Sequence, residues 1–186
     1  MRYFIIVLLF FVLPANGQNG KKITKNISLV EEYTIDGYKT PKSILFSSGG
    51  DWEIGKYYKI LYKKIKKEYQ KNIKGLSSDL VQKADIPVRI SSFNELDFKF
   101  QDIKQKAVCV FALGDMETNY DRITKKTGKT VFVNKDKILY YDLYLILIEP
   151  ETNKVLMKRK YSIKARSMYY SQHKQLAKEI VKEIKG

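Results

Sequence analysis

The sequence predicts an α+β domain: a mixed or mainly antiparallel sheet with a long C-terminal hairpin, and one long and one terminal helix packed on it. Three observations predict it. Residues Ile138 to Arg166 hold two runs rich in Leu, Ile, Val and Tyr around Pro150-Glu151-Thr152-Asn153, the pattern of two antiparallel strands joined by a turn. Apolar residues recur at helical spacing between Asp51 and Lys74. A second amphipathic stretch, Ser171 to Lys185, closes the chain, and helices segregated from a hairpin-bearing sheet define this layout.

At 186 residues the chain reads as a single domain that can bury a core without disulfides or metals. Met1 to Gln18 carries the marks of a secretory signal peptide: Arg2, the short apolar run Phe4 to Leu13, and the small residues Ala15-Asn16-Gly17. The run is too short to span a bilayer comfortably, and no cysteine follows it for bacterial lipidation. Cleavage before a Gln resembles signal peptides common among Bacteroidetes. The expected organisation is a signal peptide at 1–17, an N-terminal segment at 18–40 and the domain at 41–186. The mature chain is then expected to be periplasmic or secreted, with membrane association open.

Within the N-terminal segment, Ile27, Leu29 and Val30 suggest a short strand, and Asp36-Gly37 a turn. Ser43 to Ser47 reads as an apolar strand leading into Gly50-x-x-x-x-Gly55-Lys56 and then a helix. That order is the one a phosphate-binding loop needs: loop amides cradle phosphates, the Lys reaches them, and a following Ser or Thr binds magnesium. Here Tyr57 occupies that last place, and Asp51 and Glu53 set carboxylates against the phosphates. The plainer reading is a turn into a helix capped by Asp51.

The helix from Asp51 to Lys74 is expected to bury Tyr58, Leu61, Tyr62, Ile65, Tyr69 and Ile73 and to expose Lys59, Lys63, Lys66, Lys67 and Lys74, with Gly75 as its stop. Ser77-Ser78-Asp79 suggests a short helix through Lys83, and Ile86 to Ile90 a strand at an edge because of Pro87. Lys106 to Leu113 is a buried strand by its continuous apolar run. Gly114 to Val131 reads as a loop or ragged approach to the hairpin, with a turn from Asn134 to Lys137.

For the hairpin, setting Glu149 opposite Lys154 places Ile148 opposite Val155, Ile146 opposite Met157 and Tyr140 opposite Ile163, with Tyr161 facing Asp142 and Arg159 facing Tyr144. The other face then pairs Leu145 with Lys158, Leu143 with Lys160 and Leu139 with Lys164. A slip of one residue would exchange the faces. The first strand, apolar on both sides, is expected in the sheet's centre. The basic row on the second strand has two readings: a solvated edge strand protected by charge, or a docking ledge made by Leu143, Leu145, Lys158, Lys160 and Lys164. The terminal helix is expected to bury Leu176, Ala177, Ile180, Val181 and Ile184, with Lys174, Lys178, Lys182 and Lys185 outward.

Chemistry-bearing clusters are scarce. Cys109 lies in an apolar run and reads as core, and the lone His173 sits in the terminal helix. Multi-Cys or multi-His metal sites are excluded by count. No nucleophile elbow or His-centred triad is visible, and Asp51 with Glu53 does not define a glycosidase pair. Neither a cofactor nor a catalytic residue is expected. The net charge of +15 at pI near 9.6 points to anionic neighbours, which for an exported chain are lipids, glycans or acidic proteins rather than nucleic acid.

The turn Glu149 to Leu156 and the stripe Leu176 to Ile184, in a strand-loop-helix-hairpin-helix order, resemble the TolB N-terminal domain and lipoprotein-like families of the bacterial envelope. That resemblance implies protein–protein contacts within an envelope assembly. The leading expectation is therefore a non-enzymatic interaction module with an envelope protein partner. The alternatives are a module for an anionic ligand (acidic glycan, lipid headgroup or phosphate) and, further off, a phosphate-binding hydrolase using Gly50, Gly55 and Lys56.

Overall fold

A computed structural model describes residues 20–48, 52–72, 77–83, 92–93, 103–127, 130–167 and 172–186. Its strands are β1 (Lys21–Thr24), β2 (Ile27–Thr34), β3 (Ser43–Ser48), β4 (Ser77–Lys83), β5 (Ala107–Thr127), β6 (Thr130–Glu149) and β7 (Lys154–Ala165); its helices are α1 (Trp52–Asn72) and α2 (His173–Lys185). The strands form one mixed sheet of seven in the order β1-β2-β7-β6-β5-β3-β4. β3 is parallel to both β4 and β5, and the remaining pairs are antiparallel. The architecture is α+β.

Both helices cover one face. On β6 the residues Tyr141, Leu143, Leu145 and Leu147 enter a cluster with Met157, Tyr161 and Ile163 of β7, Cys109, Phe111 and Leu113 of β5, and the apolar stripes of α1 and α2. The helical spacing of Tyr58, Leu61, Tyr62, Ile65 and Tyr69 places all five in that core, and Leu176, Ala177, Ile180, Val181 and Ile184 do the same for α2. Phe46 of β3 stacks on Phe111 at 5.9 Å and meets Tyr62 at 5.8 Å, the offset and tilted geometries that aromatic quadrupoles favour. Among the described residues, seven of the chain's fourteen tyrosines, Tyr57, Tyr58, Tyr62, Tyr69, Tyr141, Tyr144 and Tyr161, are buried. The expected cap Asp51, the stop Gly75, Ile73 with Lys74, and the strand from Ile86 to Ile90 lie outside the described residues.

Four expectations are corrected. Ser77 to Lys83 is a strand, not a short helix: Ser43 pairs with Ser77 and Leu45 with Asp79, so parallel pairing to β3 overrides the capping preference of Ser and Asp. β7 is not an edge strand, because β2 pairs along it from Ile27 opposite Ile163 to Thr34 opposite Met157. Residues 21–34 therefore belong to the same sheet as the rest of the domain. Residues 114–127 and 130–131 are strand rather than loop or ragged approach, and Asn134 to Lys137 is not a turn. β5 and β6 instead stay paired, with one bulge between Leu113 and Met116, out to Thr127 opposite Thr130.

The hairpin register is the fourth correction. Glu149 does face Lys154 and Ile148 faces Val155, but Leu147 then faces Met157, leaving Leu156 as a bulge. Beyond it every pair shifts by one: Leu145 faces Arg159, Tyr144 faces Lys160, Leu143 faces Tyr161 and Tyr140 faces Lys164. The gain is physical. With the bulge, the leucines of β6 share a face with Met157, Tyr161, Ile163 and Ala165, and the lysines move to the opposite face. The carbonyl of Leu156 accepts a hydrogen bond from the Ile35 N–H at 3.1 Å, so the irregular residue is not left unpaired.

Candidate interaction surface

The expected ledge of Leu143, Leu145, Lys158, Lys160 and Lys164 does not exist as an exposed surface. Leu143 and Leu145 are 0% and 1% exposed in the helix-facing core. The three lysines do share the sheet's second face, yet each is half-buried and lies over an aromatic ring. Lys158 sits 5.5 Å from the Phe93 centroid, Lys160 5.2 Å from Tyr144 and Lys164 5.3 Å from Tyr140. Lys160 is also 3.3 Å from Asp142 and 3.7 Å from Glu31. Part of this face is closed by a smaller cluster, Leu45, Val108, Val110, Ala112 and Tyr144, with Phe93 and Ile103 against it. The basic row is thus internally engaged.

The Gly50-to-Lys56 reading fails on geometry. α1 already begins at Trp52, so Gly55 and Lys56 are helical and cannot belong to an open loop whose amides face a phosphate. Tyr57, where a magnesium-binding hydroxyl would be needed, is 1% exposed and packs on His173 at 4.6 Å and Tyr141 at 5.8 Å. Gly50 itself lies outside the described residues.

The two groups with nucleophile or base chemistry are buried. Cys109 is fully enclosed and burial pushes its thiol far above the ordinary range. His173, 2% exposed and with no hydrogen-bond partner on either ring nitrogen among the described residues, is pushed down from 6.5 to about 4, first by burial and then by the nearby Lys64 charge. Because the folded chain disfavours the imidazolium, the stability contributed by neutral His173 is complete above pH 6.5 and is lost as pH falls toward 4. The difference is on the order of 3 kcal/mol. His173→Leu should remove that extra acid sensitivity. Urea unfolding of both proteins at pH 7 and near pH 4 checks this, and parallel losses in the two would refute it.

The feature that sequence reasoning missed is the arm formed by β5 and β6. β3 leaves β5 after Ser48 opposite Phe111, and β7 leaves β6 after Ala165 opposite Leu139. A bulge between Leu113 and Met116 marks the departure on β5, and the Leu113 N–H donates there to the Tyr58 hydroxyl at 2.9 Å. From Asn119 opposite Ile138 to Thr127 opposite Thr130 the two strands have only each other among the described residues. At about 3.3 Å per residue the ribbon projects on the order of 25–30 Å. Tyr120 near its base is 63% exposed. Both ribbon edges therefore offer rows of backbone N–H and C=O groups without a strand partner among the described residues.

What the sequence offered here was weak. Residues 114–137 mix Asp, Asn, Thr, Lys and Arg with scattered apolar residues, so neither strand shows clean alternation. The available hairpin signal was Gly128 within Lys125-Lys126-Thr127-Gly128-Lys129. Among the described residues no helix is long and apolar enough to cross a membrane.

No protein-family model and no curated protein matches the chain. Among solved structures it is similar to the PelC dodecamer from Paraburkholderia phytofirmans at 11% identity and TM-score 0.43, covering 85% of this chain and 94% of that one. It is similar to a neuraminyllactose-binding hemagglutinin homolog from Helicobacter pylori at 16% identity and TM-score 0.41, covering 81% and 88%. A PDZ domain protein from Parabacteroides distasonis matches at 12% identity and TM-score 0.40, over 86% of this chain but 36% of that one.

Proposed function

We propose that this chain is an exported, non-enzymatic protein of the cell envelope that docks to another envelope protein through the β5–β6 arm. The arm carries the reading. An isolated two-stranded ribbon is at best marginally stable in water, and a long unpaired edge invites strand addition by another chain. The fitting occupant is an extended segment of a partner protein, held by main-chain hydrogen bonds along the arm. The signal-peptide features of residues 1–17 support export, and the envelope-domain resemblance of Glu149 to Leu156 supports the setting.

The test is a shortened arm, with residues 120–137 replaced by an Asn-Gly turn. The sheet and both helices are expected to survive, with an unfolding midpoint within a few degrees of the parent. Co-purification with a stoichiometric envelope protein is expected to vanish. Retained partner binding in a folded, armless chain would overturn the proposal. Because the contact is mainly backbone hydrogen bonding, association should persist in high salt, which screens exposed charges.

A further inference from the structure

The β5–β6 arm sorts its charges by face. Leu139 and Tyr141 belong to the helix-covered side of β6, and strand alternation carries that side outward through Lys137, Lys135, Val133 and Val131. Across the ribbon, Tyr120 is opposite Lys137, Arg122 opposite Lys135, Thr124 opposite Val133 and Lys126 opposite Val131. Four basic residues thus share one face, and no Asp or Glu falls at any of its register positions between Thr118 and Lys126 or between Val131 and Leu139. The acidic residues Glu117, Asp121 and Asp136 all fall on the other face, together with Lys125.

Two successive pairs in this register join like charges, Asp121 with Asp136 and Arg122 with Lys135. Like charges directly opposite each other destabilise a strand pair. A slip of one residue would set Asp121 opposite Lys135 in one direction, or Arg122 opposite Asp136 in the other. The pairing that runs out to Thr127 opposite Thr130 forgoes that internal neutralisation. We propose that the segment which docks on the arm is an acidic one, an extended stretch of polypeptide with Asp or Glu at alternate positions. This rests on the arm being the docking element and names the chemistry of its partner. A strand added to either ribbon edge continues the alternation, so every second residue of it joins the basic face. An anionic lipid headgroup would answer the charge but not the rows of backbone donors and acceptors along the edges, whereas an acidic strand answers both. Main-chain hydrogen bonds hold such a complex in high salt. The charges speed its formation and select among the extended segments that could pair.

A photo-cross-linking residue at Tyr120 of the full chain, in its own envelope, followed by mass spectrometry of the joined segment, reads the partner's sequence directly. The expected adduct is to a segment in which Asp or Glu recurs at every second position. Arg122→Gln combined with Lys135→Gln should lower the adduct yield about fivefold. Asp121→Asn combined with Asp136→Asn removes as many charges from the other face and should change the yield less than about twofold. Each double variant removes a like-charged opposition across the ribbon, so neither should unfold below the parent temperature. A discrete adduct to a segment without acidic alternation, or equal losses in the two double variants, would overturn the acidic partner and leave docking through the arm standing. Adducts to lipid alone, or no adduct from position 120, would overturn both.

Discussion

Leu143→Ala should destabilise the fold by about 2–5 kcal/mol, the cost of deleting a fully buried leucine and leaving a partly collapsed cavity. Leu143 is 0% exposed, faces Tyr161 across the hairpin and Leu113 on the other side, and belongs to the core under both helices. The register in which Glu149 to Leu139 pairs without a bulge puts Leu143 opposite Lys160 on an open face. There the same substitution would cost no more than about 0.5 kcal/mol. Denaturant unfolding separates the two cleanly, provided the m-value is unchanged. A small shift for Leu143→Ala, with a large one for Ile146→Ala, would restore the unbulged register.

The second large effect is expected at Arg159. Its Nε donates to Glu183 Oε2 at 2.6 Å, with the two side chains only 7% and 12% exposed. One Nη donates to the Tyr33 carbonyl at 2.6 Å and the other to the Thr34 hydroxyl at 2.8 Å. A single guanidinium thus joins β2, β7 and α2. Its five donors in a fixed fork suit this role in a way a lysine does not. Arg159→Ala leaves the Glu183 carboxylate and the β2 acceptors without their partner, and should cost about 3–5 kcal/mol. Glu183→Ala should cost somewhat less, because Arg159 keeps its carbonyl and hydroxyl acceptors. In a double-mutant cycle the two losses should be strongly non-additive. Losses below about 1 kcal/mol with no coupling would mean that the pair behaves as a surface ion pair.

The parts of the fold that were legible are those where one face is buried and the other wet. α1 and α2 announced their core stripes because lysines occupy the rest of each helix. Ile27, Leu29 and the second hairpin strand were readable for the same reason, whereas the Ser43 to Ser47 strand, the Lys106 to Leu113 run and the first hairpin strand were readable as continuous apolar runs, which mark strands buried on both faces. The failures have a shared origin in pairing. β4 is held by its partner β3 rather than by its own alternation. Nothing in Ser77-Ser78-Asp79 taken alone distinguishes a strand from a cap.

The bulge at Leu156 is a single inserted residue, and binary patterning gives equal credit to pairings one residue apart. A sharper criterion was present. The unbulged register sets Leu145, Leu143 and Leu139 against lysines, whereas one extra residue sets leucines beside Met157, Tyr161 and Ile163. The candidate site suffered most. The leucine row was an artefact of that slip, and the Gly50-Lys56 spacing lost its meaning once α1 began at Trp52. The arm was invisible because a ribbon held by its own two strands needs no hydrophobic face.

The most direct test of the arm as a docking element is a photo-cross-linking residue at Tyr120, compared with the same residue at Lys178 on α2, in the native envelope. The account expects one discrete adduct from position 120, joining the arm to a segment of another envelope protein, and none from position 178. Adducts of equal yield from both positions, or none from position 120, would contradict it.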